Sequence, residues 1–303
     1  MNKLKRKRDL SDGLFFAAMM AIPTLQVIIF YIVKNFNAIL MAFQVFDPKT
    51  GGVTYTFENF SRFFYEWKTA EAFKTMTLNS LTFGIFTVFV SPAICIMFSL
   101  YVYRKELWSG LFKVLLFIPS IVSSIVIVRV HTAVFDGMIP ELYKLITGEK
   151  MNGLLADLET RKATIIFSCL WGGFGPSMLI YVGAMSAIDE SISEAAKLDG
   201  ANFLRESLHI TLPLIYPTII VQFVAGLSGI FVNQMNLYSF YGDGAHRSIA
   251  TVGYWMYNQV KQANGNYYQY PYISAVGMLC TLITVPVTLG ARFVLNKVGP
   301  KTE

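Results

Sequence analysis

Glu194-Ala195-Ala196-Lys197-Leu198-Asp199-Gly200-Ala201, followed shortly by Ile210-Thr211-Leu212-Pro213, forms a polar interruption between two long apolar segments. Its chemistry is that of docking. Ser191 and Glu194 have the S-x-x-E spacing of a capping box, which predicts a helix start there, and Gly200 supplies the permissive backbone of a sharp turn. A second short helix is expected from about Asn202 to His209, with Pro213 opening the next apolar segment. Ala195 and Ala196 are small enough for another surface to approach closely, and Glu194 and Asp199 offer charge to a basic partner.

Chemistry of other kinds lacks its parts. No G-x-x-x-x-G-K-[ST] loop is present to cradle nucleotide phosphates, and His131, His209 and His246 are scattered without metal-ligand or H-E-x-x-H spacing. No G-x-S-x-G elbow and no pair of carboxylates within an apolar run supports hydrolysis or a proton relay. Polar residues do occur inside apolar runs. Trp171-Gly172-Gly173-Phe174-Gly175 joins an aromatic platform to small residues, and Gln222, Ser228, Asn233 and Gln234 place hydrogen-bonding groups near or within hydrocarbon. Close helix packing and helix-to-helix hydrogen bonding are equally served by the same residues. Arg129 and His131 are near enough to the end of their run to snorkel to the interface.

The elements that must position these groups are membrane spans. A chain of 303 residues with 54% hydrophobic and 15% charged residues and a mean hydropathy of +0.49 is too apolar for a soluble domain of its size. Runs long enough to cross a bilayer lie near Leu14 to Val33, Leu78 to Tyr101, Leu111 to Val134, Ala163 to Met185, Leu214 to Val232 and Tyr272 to Val294, giving six expected helices. The fold class is therefore all-α and polytopic. Lys3, Lys5, Arg6, Lys7 and Arg8 precede the first run, which reads as an uncleaved signal anchor. The density of Lys and Arg puts both termini, and the Glu194 loop with them, on the cytoplasmic side. The net charge of +6 then follows from topology, with no basic stripe to indicate nucleic acid. Cys95, Cys169 and Cys280 each fall in a span and read as buried reduced thiols. Pro23, Pro92, Pro119, Pro176, Pro217 and Pro286 fall in the runs and can kink their helices.

The Glu194 to Pro213 segment resembles the EAA loop of the inner-membrane permease subunits of binding-protein-dependent ABC importers, with E-A-A-x-x-D-G-A followed by I-T-L-P. Asp199-Gly200-Ala201 is similar to the carbohydrate branch, the maltose-type permeases. Thr56-Phe57-Glu58-Asn59-Phe60 resembles an external F-x-N-F element, Asn79-Ser80 the entry to the shared core, and Trp171 to Phe174 a W-x-G-F segment of the substrate cavity. Two places depart from the family pattern. Ser207 stands where an aromatic residue is usual, and Phe240-Tyr241-Gly242-Asp243-Gly244-Ala245 replaces an L-T-x-G-G-P turn.

The resemblance implies a MetI-like permease fold. Residues 1–74 would hold a cytoplasmic tail, the first span and an external segment; residues 75–296 would form a five-helix core with a coupling loop at 186–213; residues 297–303 would be a cytoplasmic tail. It assigns Glu194, Ala195, Ala196, Asp199, Gly200, Ala201, Ile210 and Pro213 to coupling with an ATPase. It assigns Trp171, Gly172, Gly173, Phe174, Gln222, Ser228, Asn233 and Gln234 to the path of a sugar, Asn233 falling near a family sugar-binding position. The implied partners are a second homologous permease, an ABC ATPase dimer that binds ATP and Mg, an extracytoplasmic solute-binding protein and membrane lipid. No cofactor is expected in this chain. Glycerol phosphate, a polyamine or an amino acid would be alternative solutes on the same architecture. An ATP-independent transporter or channel would need an intramembrane ion-coupling carboxylate or a repeated half, and the sequence has neither.

Overall fold

The computed structural model describes residues 2–47, 51–263 and 265–300, with side chains from residue 13 onward except Leu14. The basic cluster Lys3 to Arg8, the turn residues Pro48, Lys49 and Thr50 and the tail residues 301–303 therefore fall outside the described side chains.

Among the described residues, four helices are long and apolar enough to span a membrane unbroken. They are α1 (residues 2–42, apolar from Phe15–Ala42), α3 (Glu71–Tyr103), α6 (Arg161–Ser186) and α12 (Tyr270–Val298). Two further spans are bent pairs: α4 (Ser109–Ile121) with α5 (Ser124–Thr147) at 107°, and α8 (Phe203–Leu214) with α9 (Tyr216–Ser228) at 68°. Six spans are reached when each bent pair counts as one. The expected straight run from Leu111 to Val134 is thus corrected to two helices. Val122 and Ser123 are extended, and the Ser123 hydroxyl accepts from the Val126 amide to start α5 afresh. The expected run from Leu214 to Val232 is likewise corrected, because its helix stops at Ser228 and residues up to Asn236 form turns.

Prolines explain most of the irregularity. Three wide helical turns, Phe86–Val90, Ala133–Met138 and Ser207–Thr211, each end two residues before a proline: Pro92, Pro140 and Pro213. A proline gives no amide to the carbonyl one turn back and its ring crowds that carbonyl, so the preceding turn widens. A fourth wide turn, Ile28–Val33 in α1, has no proline after it.

The chain divides into two compact units. The first holds residues 1–65 and 263–279. In it, β1 (Gln44–Phe46) and β2 (Val53–Tyr55) pair antiparallel, a hairpin that an all-α expectation lacks. Helix α2 (Glu58–Thr69) begins in the F-x-N-F element. The Asn59 amide donates to the carbonyls of Ala42 (3.1 Å) and Gln44 (2.8 Å), and Phe57 and Phe60 pack on Phe43. The apolar stretch of α1 is exposed from Phe15 to Leu40, and only its end at Ala42 is buried.

The second unit holds residues 66–262 and 280–303. Its centre is α6, packed along the second half of α3 and along α4. Gly175 permits that approach: a Cβ there would lie 2.9 Å from the Leu116 carbonyl oxygen and from the Phe117 Cα. Tyr181, Met185, Cys95 and Ile215 fill one core and Phe83, Ile165, Leu237 and Ile249 another. The helices α7 (Glu190–Leu198), α10 (Leu237–Tyr241) and α11 (Val252–Ala263) complete it.

Candidate functional site: a coupling loop and an intramembrane cavity

The candidate coupling loop is built from local hydrogen bonds. The cap of α7 is Asp189, whose carboxylate accepts from the Ser191 amide (3.0 Å), so the helix starts before the expected Ser191 and Glu194 box. Those backbone and side-chain bonds from Ser191 hold the Asp189 carboxyl below the usual carboxylate range. At the other end, the Gly200 amide donates to Lys197 (3.1 Å) and the Ala201 amide to Ala196 (3.0 Å). Together they form a Schellman stop with Gly200 at φ +76°. Asn202 then caps α8 by accepting from the Arg205 amide (2.9 Å). Helix α8 runs on through Ile210 and Pro213 to Leu214, longer than the expected Asn202 to His209.

Along α7, Glu194, Ala195, Asp199 and Gly200 are exposed and Leu198 is 90% exposed, while Ala201 is half-buried. Ala196 is 6% exposed and faces inward, so it is not available to a docking surface as expected. Ile210 and Pro213 are half-buried.

A cavity of about 570 Å³ lies among α3, α4, α5, α6 and the turns at 229–237. Its wall includes Thr87, Ser91, Ser120, Ser124, His131, Ser168, Gly172, Gly173, Ser177, Asn233 and Asn236. Several hydroxyl protons are committed to helix carbonyls: Thr87 to Phe83 (3.1 Å), Ser120 to Phe117 (2.7 Å) and Ser168 to Thr164 (2.9 Å). Such hydroxyls present oxygen lone pairs, which suits a solute rich in O–H donors. No Asp, Glu, Lys or Arg lies in the wall among the described residues.

Of the residues expected on the path, the structure brings Gly172, Gly173 and Asn233 to the wall. A Cβ on Gly172 or Gly173 would meet nothing within 4 Å, so these two open space while Gly175 serves packing. Trp171 is not in the wall. Its ring packs edge-on against Phe167 (5.4 Å) and lies 6.3 Å from His131. Phe174 packs against Phe98 (5.4 Å), Gln222 is half-buried on α9, and the Gln234 Oε1 is buried without a hydrogen-bond partner. The Ser228 hydroxyl donates to Ala225 (2.7 Å) and lines a separate groove against Thr284 and Thr288 of α12.

Sequence reasoning missed Asn236 and the run of wall serines and threonines, and it favoured snorkelling for His131. His131 is 8% exposed and forms part of the wall, whereas Arg129 is exposed. The turn at the wall is strained. Met235 and Asn236 both have left-handed backbones (φ 53° and 54°), and the Asn233 Oδ1 accepts from the Met235 amide (2.8 Å) to hold them. Asn79 and Ser80 brace the neighbouring segment. The Asn79 amide donates to the carbonyls of Arg247 (3.1 Å) and Ala250 (2.9 Å), and the Ser80 hydroxyl accepts from the Val252 amide (2.9 Å). Within the departed turn, the Tyr254 hydroxyl donates to the Gly242 carbonyl and accepts from the Ala245 amide, so that tyrosine is structural.

Known proteins match this arrangement. The family described as binding-protein-dependent transport system inner membrane component matches residues 93–303. The chain is 30% identical over 268 residues to the polygalacturonan/rhamnogalacturonan transport system permease protein YteP of Bacillus subtilis (strain 168), an alignment covering 86% of this chain and 81% of that one. It is similar in structure to a chain of a bacterial ABC transporter involved in the import of the acidic polysaccharide alginate, with a TM-score of 0.78 at 22% identity over 97% of this chain and 99% of that one. A second structure, of a bacterial alginate ABC transporter in complex with alginate pentasaccharide-bound periplasmic protein, matches with a TM-score of 0.76 at 22% identity over 94% of each chain. These two likenesses speak for the fold. The chain belongs to the family of binding-protein-dependent transport system inner membrane components.

Proposed function

We propose that this chain is the permease subunit of an ATP-driven importer that carries a sugar or oligosaccharide across the bacterial cytoplasmic membrane. The wall of the cavity carries the choice of solute. It offers hydroxyl, amide and glycine backbone groups with His131 as its one group able to carry positive charge among the described residues. A polyamine, an amino acid or glycerol phosphate would enter with unpaired charge in a low-dielectric setting, which costs far more than an uncharged sugar hydroxyl that finds an acceptor. The names of YteP and of the alginate importer point to saccharides as well; alginate is an acidic polysaccharide, so a uronic solute in this chain's path would need its positive partners from the second permease.

In this reading both termini are cytoplasmic, and the exposed face of α7 and Gly200 meets a separate ATPase dimer that binds ATP and Mg. A second, homologous permease supplies the facing half of the path, and an extracytoplasmic binding protein delivers the solute, a reading supported by the similar alginate transporter, which was solved in complex with an alginate pentasaccharide-bound periplasmic protein. This chain carries no reaction of its own. Closure of the ATPases would move the 190–214 loop, and the bent spans would alternate the access of the cavity.

The test is ATP hydrolysis by the complex purified through this chain and reconstituted in lipid, with its binding protein and a panel of neutral and uronic oligosaccharides. Stimulation by a sugar at least severalfold above the binding protein alone is expected. Solute flux through this chain that needed no ATP would overturn the proposal.

A further inference from the structure

We propose that Glu206 is a positioning residue of the transport cycle, locking both halves of the coupling loop to the cytoplasmic end of α3 so that the three move as one lever; the inference rests on the coupling role proposed above. Glu206 is 5% exposed, unusual for a carboxylate on a loop otherwise rich in exposed residues. One carboxylate oxygen accepts the Ser193 hydroxyl of α7 at 2.6 Å. The other pairs with the guanidinium of Arg104, the residue that ends α3. The same guanidinium lies 4.4 Å over the ring of Phe203 on α8. One side chain thereby joins α7, α8 and α3, although Arg104 stands 102 residues away in sequence.

The far end of the lever is the cavity. From Arg104, α3 runs back to Ser91 and Thr87 in the cavity wall, about 20 Å from Arg104 to Ser91 at the rise of an α-helix. The wide turn Phe86–Val90 sits at that end, where the helix has lost regular hydrogen bonding. A push on the exposed face of α7 reaches α3 through Ser193, Glu206 and Arg104 and is released as bending beside the cavity. A polar notch of about 450 Å³ around the node, reached by Glu190 and Lys197, leaves room for the side chains to follow.

The experiment uses the full complex in lipid, with spin labels at M97C on α3 and L289C on α12, both exposed. The distance between them is measured without nucleotide and in the ATP-vanadate trapped state, alongside ATP hydrolysis. In the otherwise unaltered protein the distance is expected to shift by several ångströms. E206Q keeps the size and the acceptor for Ser193 but loses the charge. It is expected to abolish the shift while retaining hydrolysis within about threefold, and E206D and the swap R104E with E206R are expected to restore most of it. Should E206Q fail to assemble, S193A and R104K give the same comparison with the carboxylate in place. A full shift in E206Q, or in S193A and R104K together, would overturn the lever while leaving the importer reading intact. Failure of any ATPase to assemble with the unaltered chain, or a distance blind to ATP in it, would overturn the importer reading and the lever with it.

Discussion

The candidate coupling segment at 189–206, which ends where the wide turn Ser207–Thr211 begins, and the cavity wall are built on opposite principles. In the first, both helix starts and the stop between them are closed by local hydrogen bonds: Asp189 caps α7, Gly200 and Ala201 close its last turn, and Asn202 caps α8. In the second, the backbone departs from regular helix wherever the wall bends. A wide turn lies at Phe86–Val90, extended residues at Val122 and Ser123, and left-handed residues at Met235 and Asn236. Satisfied local hydrogen bonds make a stiff element that keeps its shape under load. Missing ones make joints. On the proposed function, the rigid part would stand where force enters and the pliable parts where access must change.

Substitutions can break each side of that contrast. The largest effect is expected from Gly253→Val, at the support of the cavity wall. Its Cβ would lie 2.4 Å from the Val232 carbonyl oxygen and 2.7 Å from that of Asn233, backbone atoms with nowhere to move. Loss of folded protein from the membrane, or at least a hundredfold loss of uptake, is expected, checked by detergent-resistant assembly and flux. Gly200→Val attacks the stiff side instead. Nothing lies within 4 Å of the added Cβ, so the whole cost is the left-handed backbone, about 1–2 kcal/mol and more for a β-branched residue. The protein should reach the membrane and assemble while uptake falls at least tenfold, with Gly200→Asn retaining most of it because Asn tolerates that conformation. Normal uptake with Val would remove Gly200 from the coupling role.

The smallest effect sharpens the stiff side. The Asp189 carboxyl is held below its ordinary value by the Ser191 amide, so its contribution to α7 is present at neutral pH. The contribution disappears only as the pH falls through that lowered value, below the ordinary aspartate pKa of about 4. The protection of α7 amides, taken relative to the intrinsic exchange rate at each pH, should fall in that acid range in the unaltered chain and stay level in Asp189→Asn, which keeps a capping oxygen.

The same contrast decides what could be read from sequence. The coupling loop was legible because its signals are local: Gly200 needs only its own φ, and Asn202 caps the helix that follows it directly. The error there, a start at Ser191 in place of Asp189, arose because two adjacent segments both carry capping chemistry. The six apolar runs were legible, and Pro213 marked a break close to the one at Ile215, but the break at Val122 was not legible, since that residue is apolar and sits inside hydrophobic sequence. In the cavity, Gly172, Gly173 and Asn233 stood out as unusual in a span. Ser168 and Ser177 did not, because a serine in a membrane helix equally satisfies a carbonyl of its own turn. Glu206 was invisible as a node because its partner Arg104 comes from another span and no local pattern links them.

The division into stiff and pliable parts is tested most directly by amide hydrogen exchange of the complex in lipid, comparing the ATP-vanadate trapped state with the nucleotide-free one. The account predicts changes concentrated at 86–90, 122–124 and 229–237, with the internal amides of α7 and the Gly200 stop unchanged. Exchange that rose throughout 190–201 on trapping, with the cavity turns silent, would contradict it.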